Sequence, residues 1–320
     1  MSRLIPGSTG PDVALAVVLR GVTVRVRVPG SSANLGPGFD CAGLALGYYD
    51  EVEVQALDDP RAVHVEVVGE GAATIVAGEA NLVVRSVRSA LERVGADQPG
   101  LRVVCRNGVP HGRGIGSSAA AVVAGVVAAR GLLGRPELLD DVTALEVASD
   151  LEGHPDNASA SLLGAITVGW SGPGGARAVR IEPHPDLEAV VCLPGDELST
   201  ARARAMLPAV VPHADAAFTA GRAALLVEAL ARRPGLLLAA TEDRLHQGYR
   251  ASAMPATATL VHTLRSAGLA AVVSGAGPSV LVLGERSADV LARVVAATGD
   301  GWDVSSPGID VQGAVLAARR

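Results

Sequence analysis

Val109-Pro110-His111-Gly112-Arg113-Gly114-Ile115-Gly116-Ser117-Ser118-Ala119-Ala120 joins a strand-like run to a long Ala/Val-rich run. Glycines at alternate positions let backbone N–H groups approach an anion closely. A helix starting at Ser117 adds free N–H groups and the positive end of its dipole. Ser117 and Ser118 fall at its cap and first turn, where hydroxyls bind amides, phosphate oxygens or a metal. Taken alone, the segment is equally a Ser-capped glycine turn that binds nothing. A dinucleotide site fits poorly, because the sixth position of G-x-G-x-x-G is Ser117 and no acidic residue ends a nearby second strand.

Composition sharpens this reading. The chain has 320 residues, and all 27 of its Lys+Arg are Arg. A P-loop, which needs Lys on the phosphates, is excluded, and so is a Lys Schiff base. Phosphate chemistry must therefore use amides, metal, helix dipoles or Arg. A net charge of −6 with 2% aromatics argues against nucleic acid as a partner. Cys41, Cys105 and Cys192 form no CxxC pair, which fits a reducing cytoplasm. The apolar run Ala119–Ala129 is too short for a membrane span, and Val13–Leu19 lacks a signal-peptide cleavage site.

Outward from the turn, period-2 alternation predicts a strand at Val22–Val28, and further strands are expected at about Tyr48–Ala56, Val63–Val68 and Leu101–Arg106. The first of these strands is expected to stop at Pro29-Gly30. Helices are expected at Asn81–Gly95, Ser117–Leu133 and Leu138–Leu151, and a strand at Leu162–Trp170. Residues 1–20 read as a loose leader. Ser171–Gly175 is the expected boundary between a lobe of residues 21–172 and one of 173–320. In the second lobe, strands are expected at Ala178–Ile181, Ala189–Leu193, Ala271–Ser274, Val280–Leu283 and near Gly313–Ala317. The helices expected there are Thr200–Met206, Asp215–Arg232, Leu236–Leu245, Thr257–Ala267 and Ala288–Thr298. Hairpins mixed with crossovers make the class α+β.

The glycine segment resembles the ATP-binding motif of the GHMP kinase superfamily: Pro, three variable positions, Gly, Leu or Met, Gly, Ser, Ser, then small residues. Ile115 stands where Leu or Met is usual, a volume-conserving change. Pro29-Gly30-Ser31-Ser32-Ala33-Asn34-Leu35-Gly36-Pro37-Gly38-Phe39-Asp40 is similar to the first motif of that superfamily, and Ser274-Gly275-Ala276-Gly277-Pro278-Ser279 to its third. Four segments are similar to the branch that phosphorylates L-homoserine: 31–40, 152–157 (Glu-Gly-His-Pro-Asp-Asn), 198–204 and 243–250. Gly248 stands where that branch usually has Pro.

The resemblance implies a two-lobed fold. The N-terminal lobe would be like ribosomal protein S5 domain 2 and the C-terminal lobe ferredoxin-like, with ATP and Mg²⁺ bound between them. It implies a cytoplasmic enzyme of threonine biosynthesis, with no membrane partner; a homodimer is compatible with it. It places Asn81 and Pro110 through Ala120, including His111 and Arg113, at the nucleotide. It places Asn34, Asp40, His154, Asn157, Thr200, Arg204, Arg250, Gly275 and Gly277 at the amino acid, and Ser118 with Glu146 on the metal. Asn157, Asp156, His154 and Thr200 are the catalytic candidates, with Asn157 and His154 orienting substrate and Asp156 secondary. Two alternatives stay open: a related kinase for mevalonate or a diphosphocytidyl sugar alcohol, and a non-catalytic nucleotide-binding regulator.

Overall fold

The structure is a computed structural model and describes residues 16–319. Two sheets organise it. The first has strands β1 (Thr23–Asn34), β2 (Gly38–Leu57), β3 (Val63–Gly69), β4 (Gly100–Asn107), β5 (Ile166–Gly172), β6 (Gly175–Ile181) and β11 (Val315–Arg319). Its order is β11-β1-β2-β4-β3, with β5 on the near half of β2 and β6 outside β5. All its pairs are antiparallel except β3–β4, which α1 (Leu82–Arg93) connects. α2 (Ser117–Leu132), α3 (Asp141–Glu152) and α4 (Asp156–Leu163) complete this lobe.

α2 is apolar on every face and accordingly buried, with Ala120, Val123, Ala124 and Ala128 fully inaccessible. Its small residues permit close approach. A Cβ on Gly125 would lie 2.6 Å from Val83 O on α1.

The second sheet has strands β7 (Leu187–Pro194), β8 (Ala270–Val273), β9 (Val280–Glu285) and β10 (Trp302–Ser305), ordered β10-β7-β9-β8 and all antiparallel. α6 (His213–Ala231) lies in the β7–β8 crossover and α10 (Val290–Ala297) in the β9–β10 crossover. This is the βαββαβ order of a ferredoxin-like lobe. The short helices α5 (Thr200–Ala205), α7 (Leu237–Ala240) and α8 (Gln247–Arg250), with α9 (Pro255–Ser266), fill the first crossover.

Several expectations change: among them, the helix expected at Leu236–Leu245 ends at Ala240, and the strands expected in the second lobe at Ala178–Ile181 and near Gly313–Ala317 join the first sheet as β6 and β11. β1 runs through Pro29-Gly30 to Asn34, because a register shift there absorbs the missing amide of Pro29. Leu162 and Leu163, expected to open a strand, instead end helix α4, which packs on β1 and β2, and the strand begins at Ile166. The run Ser171–Gly175 is the β5–β6 hairpin turn, with Gly175 at φ 86, rather than a lobe boundary. A glycine cluster marks a tight turn as readily as a linker. The chain crosses between sheets at 182–186 and returns after β10, so that β11 pairs with β1. Of the expected leader, residues 1–15 lie outside the described residues. Ala16 and Val18 are buried, and Leu19 N donates to Leu132 O at 2.9 Å, so 16–20 pack onto the lobe.

Candidate active site

The site forms where the three glycine-rich segments meet. Gly112, Gly114 and Gly116 take φ of 65°, 73° and 71°, a left-handed region that L side chains rarely occupy. Close approach requires the same residues. A Cβ on Gly114 would lie 2.3 Å from Ser274 O, and one on Gly116 2.3 Å from Ser31 Oγ. Gly116 is the N-cap of α2 and has no side-chain cap, so the first amides of that helix remain available to an anion.

Hydrogen bonds bind the segments together. Ser31 N donates to Ile115 O (2.9 Å) and Gly275 N to Ala33 O (3.1 Å). Ser274 Oγ donates to Gly114 O (2.7 Å) and pairs with Ser32 Oγ (2.8 Å). Asn34 Nδ2 donates to Gly275 O (2.8 Å), while its Oδ1 accepts from Asp40 N. Asn34 and Asp40 themselves have positive φ, so the β1–β2 turn is a strained loop held by the third motif.

These segments enclose a cleft of about 330 Å³. Asn34, Asp40, Ser117, Ser118, His154, Asp156, Asn157, Thr200, Arg204, Arg250, Gly275 and Gly277 line it, together with Glu152. At one end Arg204 grips Asp40 in a two-point pair, Nη2 to Oδ1 at 2.6 Å and Nη1 to Oδ2 at 3.1 Å. Asp40 raises the Arg204 pKa by that bond. Arg250 is 1% exposed, and its partners are neutral acceptors: Ala203 O, Gly275 O and His246 Nδ1. Burial lowers its pKa, and Arg204 adds to the effect. Both guanidiniums face the ring of Phe39, at 5.7 Å for Arg204 and 5.3 Å for Arg250. This end of the cleft therefore holds two converging cations, Arg204 and Arg250, and the Asp40 carboxylate.

At the other end α4 begins. Asp156, 1% exposed, accepts from Asn157 N at 2.7 Å and from His154 Nδ1. The His154 pKa is raised chiefly by that bond. Asn157 Oδ1 accepts from Ser31 Oγ (3.0 Å), which leaves Nδ2 as its donor toward the cleft.

Ser118 Oγ donates to Glu152 Oε2 at 2.8 Å, and burial raises the Glu152 pKa. The expected partner, Glu146, is elsewhere: its carboxylate pairs with Arg177 (2.6 Å) and with Arg93. The six residues separating the two acids correspond to about 240° around a helix, so they occupy different faces. The sequence reading passed over Glu152 although it opens the 152–157 segment.

A smaller, mainly apolar pocket of about 170 Å³ adjoins Ser117 and Ser118, lined by Val52, Val67, Ile75, Leu82 and Cys105. Asn81 and His111 also line it, although Asn81 Oδ1 is occupied in capping α1 through Val83 N and Val84 N. Ile115, Ala119 and Ala120 are fully buried in the core, Pro110 is also buried, and none of the four lines the cleft, so they can offer only backbone. Arg113 does not line the cleft either, and its Nε is buried without an acceptor among the described residues.

Comparison with known proteins now decides the family. The model of the GHMP kinases N terminal domain matches residues 81–165, and that of the GHMP kinases C terminal matches 223–301. The chain is 52% identical to the homoserine kinase of Streptomyces coelicolor, over 93% of this chain and 95% of that one. The chain belongs to the homoserine kinases of the GHMP superfamily. It is also 53% identical to the homoserine kinase of Streptomyces avermitilis, over 92% of this chain and 96% of the other. Among solved structures, the homoserine kinase of Cytophaga hutchinsonii superimposes with a TM-score of 0.79 at 26% identity, over 92% of this chain and 96% of that one. Mevalonate kinase from L. major shares the fold, with a TM-score of 0.65 at 17% identity. Among the described residues no helix is long and apolar enough to cross a membrane.

Proposed function

We propose that this homoserine kinase transfers the γ-phosphoryl group of ATP to the side-chain hydroxyl of L-homoserine, giving O-phospho-L-homoserine and ADP. One observation carries the assignment of the acceptor. Among the described residues Arg250 is a buried cation without a carboxylate partner, and it lines the same cleft as the Arg204–Asp40 pair and the glycine turn. A zwitterion answers that arrangement. Its carboxylate takes the two guanidiniums, and its ammonium takes the Asp40 carboxylate. Mevalonate has a carboxylate but no ammonium, so Asp40 would be left without a cation of its own once Arg204 turned to the substrate.

The Gly112–Gly116 amides and the α2 N-terminus take the triphosphate, without lysine. The apolar pocket beside Ser117 suits the flat base. The Ser118 hydroxyl and the Glu152 carboxylate fit Mg²⁺, a hard ion that uses one or two carboxylates and completes its shell with phosphate oxygens and water. When bound, Mg²⁺ supplies neutralisation of charge on the phosphate oxygens. Among the described residues no cluster of three or more His, Cys, Asp or Glu competes for the metal.

Asn157 Nδ2 and the His154 ring orient the attacking hydroxyl, and Thr200 closes the cleft beside them. The Asp156 carboxylate holds the His154 ring and the Asn157 amide, so its role is positional. Transfer is direct, with the hydroxyl in line and catalysis by placement and electrostatics. The test is ADP release coupled to a chromogenic reaction, with L-homoserine and mevalonate as rival acceptors. Turnover with homoserine no greater than with mevalonate rejects the proposal.

A further inference from the structure

His246 is fully buried at the junction of the two lobes, between the first-motif loop and helix α8. Its Nε2 lies 2.7 Å from Gly36 O, and its Nδ1 lies 3.2 Å from Arg250 Nη1. Its ring stacks on Phe39 with centroids 5.0 Å apart. A carbonyl can only accept, and a guanidinium can only donate. Nε2 must therefore carry the proton, and Nδ1 must be the bare acceptor. The imidazole is neutral and has one permitted tautomer. Protonation of Nδ1 would set a second N–H against that of Arg250. Burial lowers the His246 pKa, in keeping with the neutral form. Asp243, whose Oδ2 lies 3.6 Å from Nε2, is occupied with the amides of Leu245, His246 and Gln247.

Resting on the reading that Arg250 receives the substrate carboxylate, we infer that His246 is a positioning residue for homoserine. It aims the Arg250 guanidinium while tying that arginine to the loop that carries Asn34 and Asp40. The two ends of the zwitterion site thus share one neutral ring, which sets the distance between the carboxylate and ammonium subsites. His246 is the N-cap of α8, four residues before Arg250, whose N also donates to His246 O at 3.2 Å, so the backbone fixes the spacing of the pair.

Two isosteres separate the two bonds. In H246N, Oδ1 stands at the position of Nδ1 and keeps an acceptor for Arg250. In H246Q, Nε2 stands at the position of the ring Nε2 and keeps the donor to Gly36 O but displaces the acceptor. Loss of a hydrogen bond to a charged group predicts a homoserine KM raised about tenfold or more in H246Q. The KM for ATP should stay within about twofold, and H246N should raise the homoserine KM by no more than about threefold. R250A should raise the homoserine KM further, and R250A/H246Q should be no worse than R250A.

Equal effects of the two isosteres, a parallel rise in the KM for ATP, or full additivity in the double variant would overturn the positioning role while leaving Arg250 at the carboxylate. An unchanged homoserine KM in R250A would overturn the Arg250 reading itself and this inference with it. Should H246Q fail to fold, H246N decides alone: a rise of about tenfold despite the retained acceptor counts against the inference.

Discussion

Replacing Glu152 and Glu146 separately by glutamine distinguishes the metal acid from its neighbour on the same helix. Glu146 has a 13% exposed carboxylate, but its partners Arg93 and Arg177 are 44% and 37% exposed. Ion pairs this close to solvent are worth about 1 kcal/mol together. E146Q should therefore lower the melting temperature by about 2–4 °C and leave the Mg²⁺ dependence of the rate unchanged. Among the described residues Glu152 has no arginine partner, and partial burial already raises its pKa, so a neutral isostere removes a half-buried, unpaired charge. E152Q should melt no lower than the parent protein. It also removes the carboxylate beside Ser118, and a lost ligand of that kind costs several kcal/mol. The Mg²⁺ concentration for half-maximal rate should rise about a hundredfold or more. The assay is ADP release at saturating ATP and homoserine, titrated with Mg²⁺, with thermal melts of both variants. An unaltered Mg²⁺ titration in E152Q, or a shifted one in E146Q, would refute the assignment.

Gly114→Ala should raise the KM for ATP about tenfold or more: a left-handed alanine costs about 1–2 kcal/mol, and its Cβ meets the backbone oxygens of Ser274 (2.3 Å) and Gly277 (2.8 Å). Gly112→Ala should be milder, since its Cβ meets only the flexible Glu197 side chain at 3.1 Å; equal effects would count against the close-approach argument. Asp156→Asn should keep kcat within about tenfold, whereas a loss of about 10³-fold or more in steady-state rates would make Asp156 the general base. Asp50 is buried, and its pKa is raised from 3.8 to about 6 by burial, although Oδ1 accepts from Gly108 N and Val109 N. A carboxyl whose folded pKa is raised stabilises the fold below about pH 4 and loses that contribution as pH rises through about 6. Relative to D50N, the parent protein should therefore lose on the order of 2–3 kcal/mol of stability between those limits; parallel denaturation curves across that range would contradict the burial argument.

Much of the fold was legible because its signals are local. Alternation over 22–28 matched strand β1, and the apolar runs at 63–68 and 101–106 matched β3 and β4. The all-apolar run after Ser117 matched the buried helix α2. Other features needed partners distant in sequence. Residues 156–163 carry no decisive period, and contact with β1 and β2 makes them helical. β10, at Trp302–Ser305, was not foreseen, because four half-buried residues take their strand identity from β7 alongside. The Ser171–Gly175 cluster was legible as a break but not as a hairpin, for pairing across it is a tertiary fact.

By itself the sequence determined the chemistry of phosphate handling. With no lysine in the chain, phosphate had to be met by amides, a helix terminus, metal or Arg, and the glycines at 112, 114 and 116 ahead of Ser117 offered the first two together. A left-handed backbone imposes glycine locally, so such a motif can be read without its neighbours. Only the tertiary structure decided which acid meets Ser118, that Arg204 is already bound to Asp40 while Arg250 is free of carboxylates, and that His246 bridges Gly36 and Arg250. Arg204 meets Asp40, 164 positions away, and His246 meets Gly36, 210 positions away, through the packing of one lobe on the other, while Ser118 meets Glu152 through the packing of α2 on α3; spacing along the chain carries no trace of either.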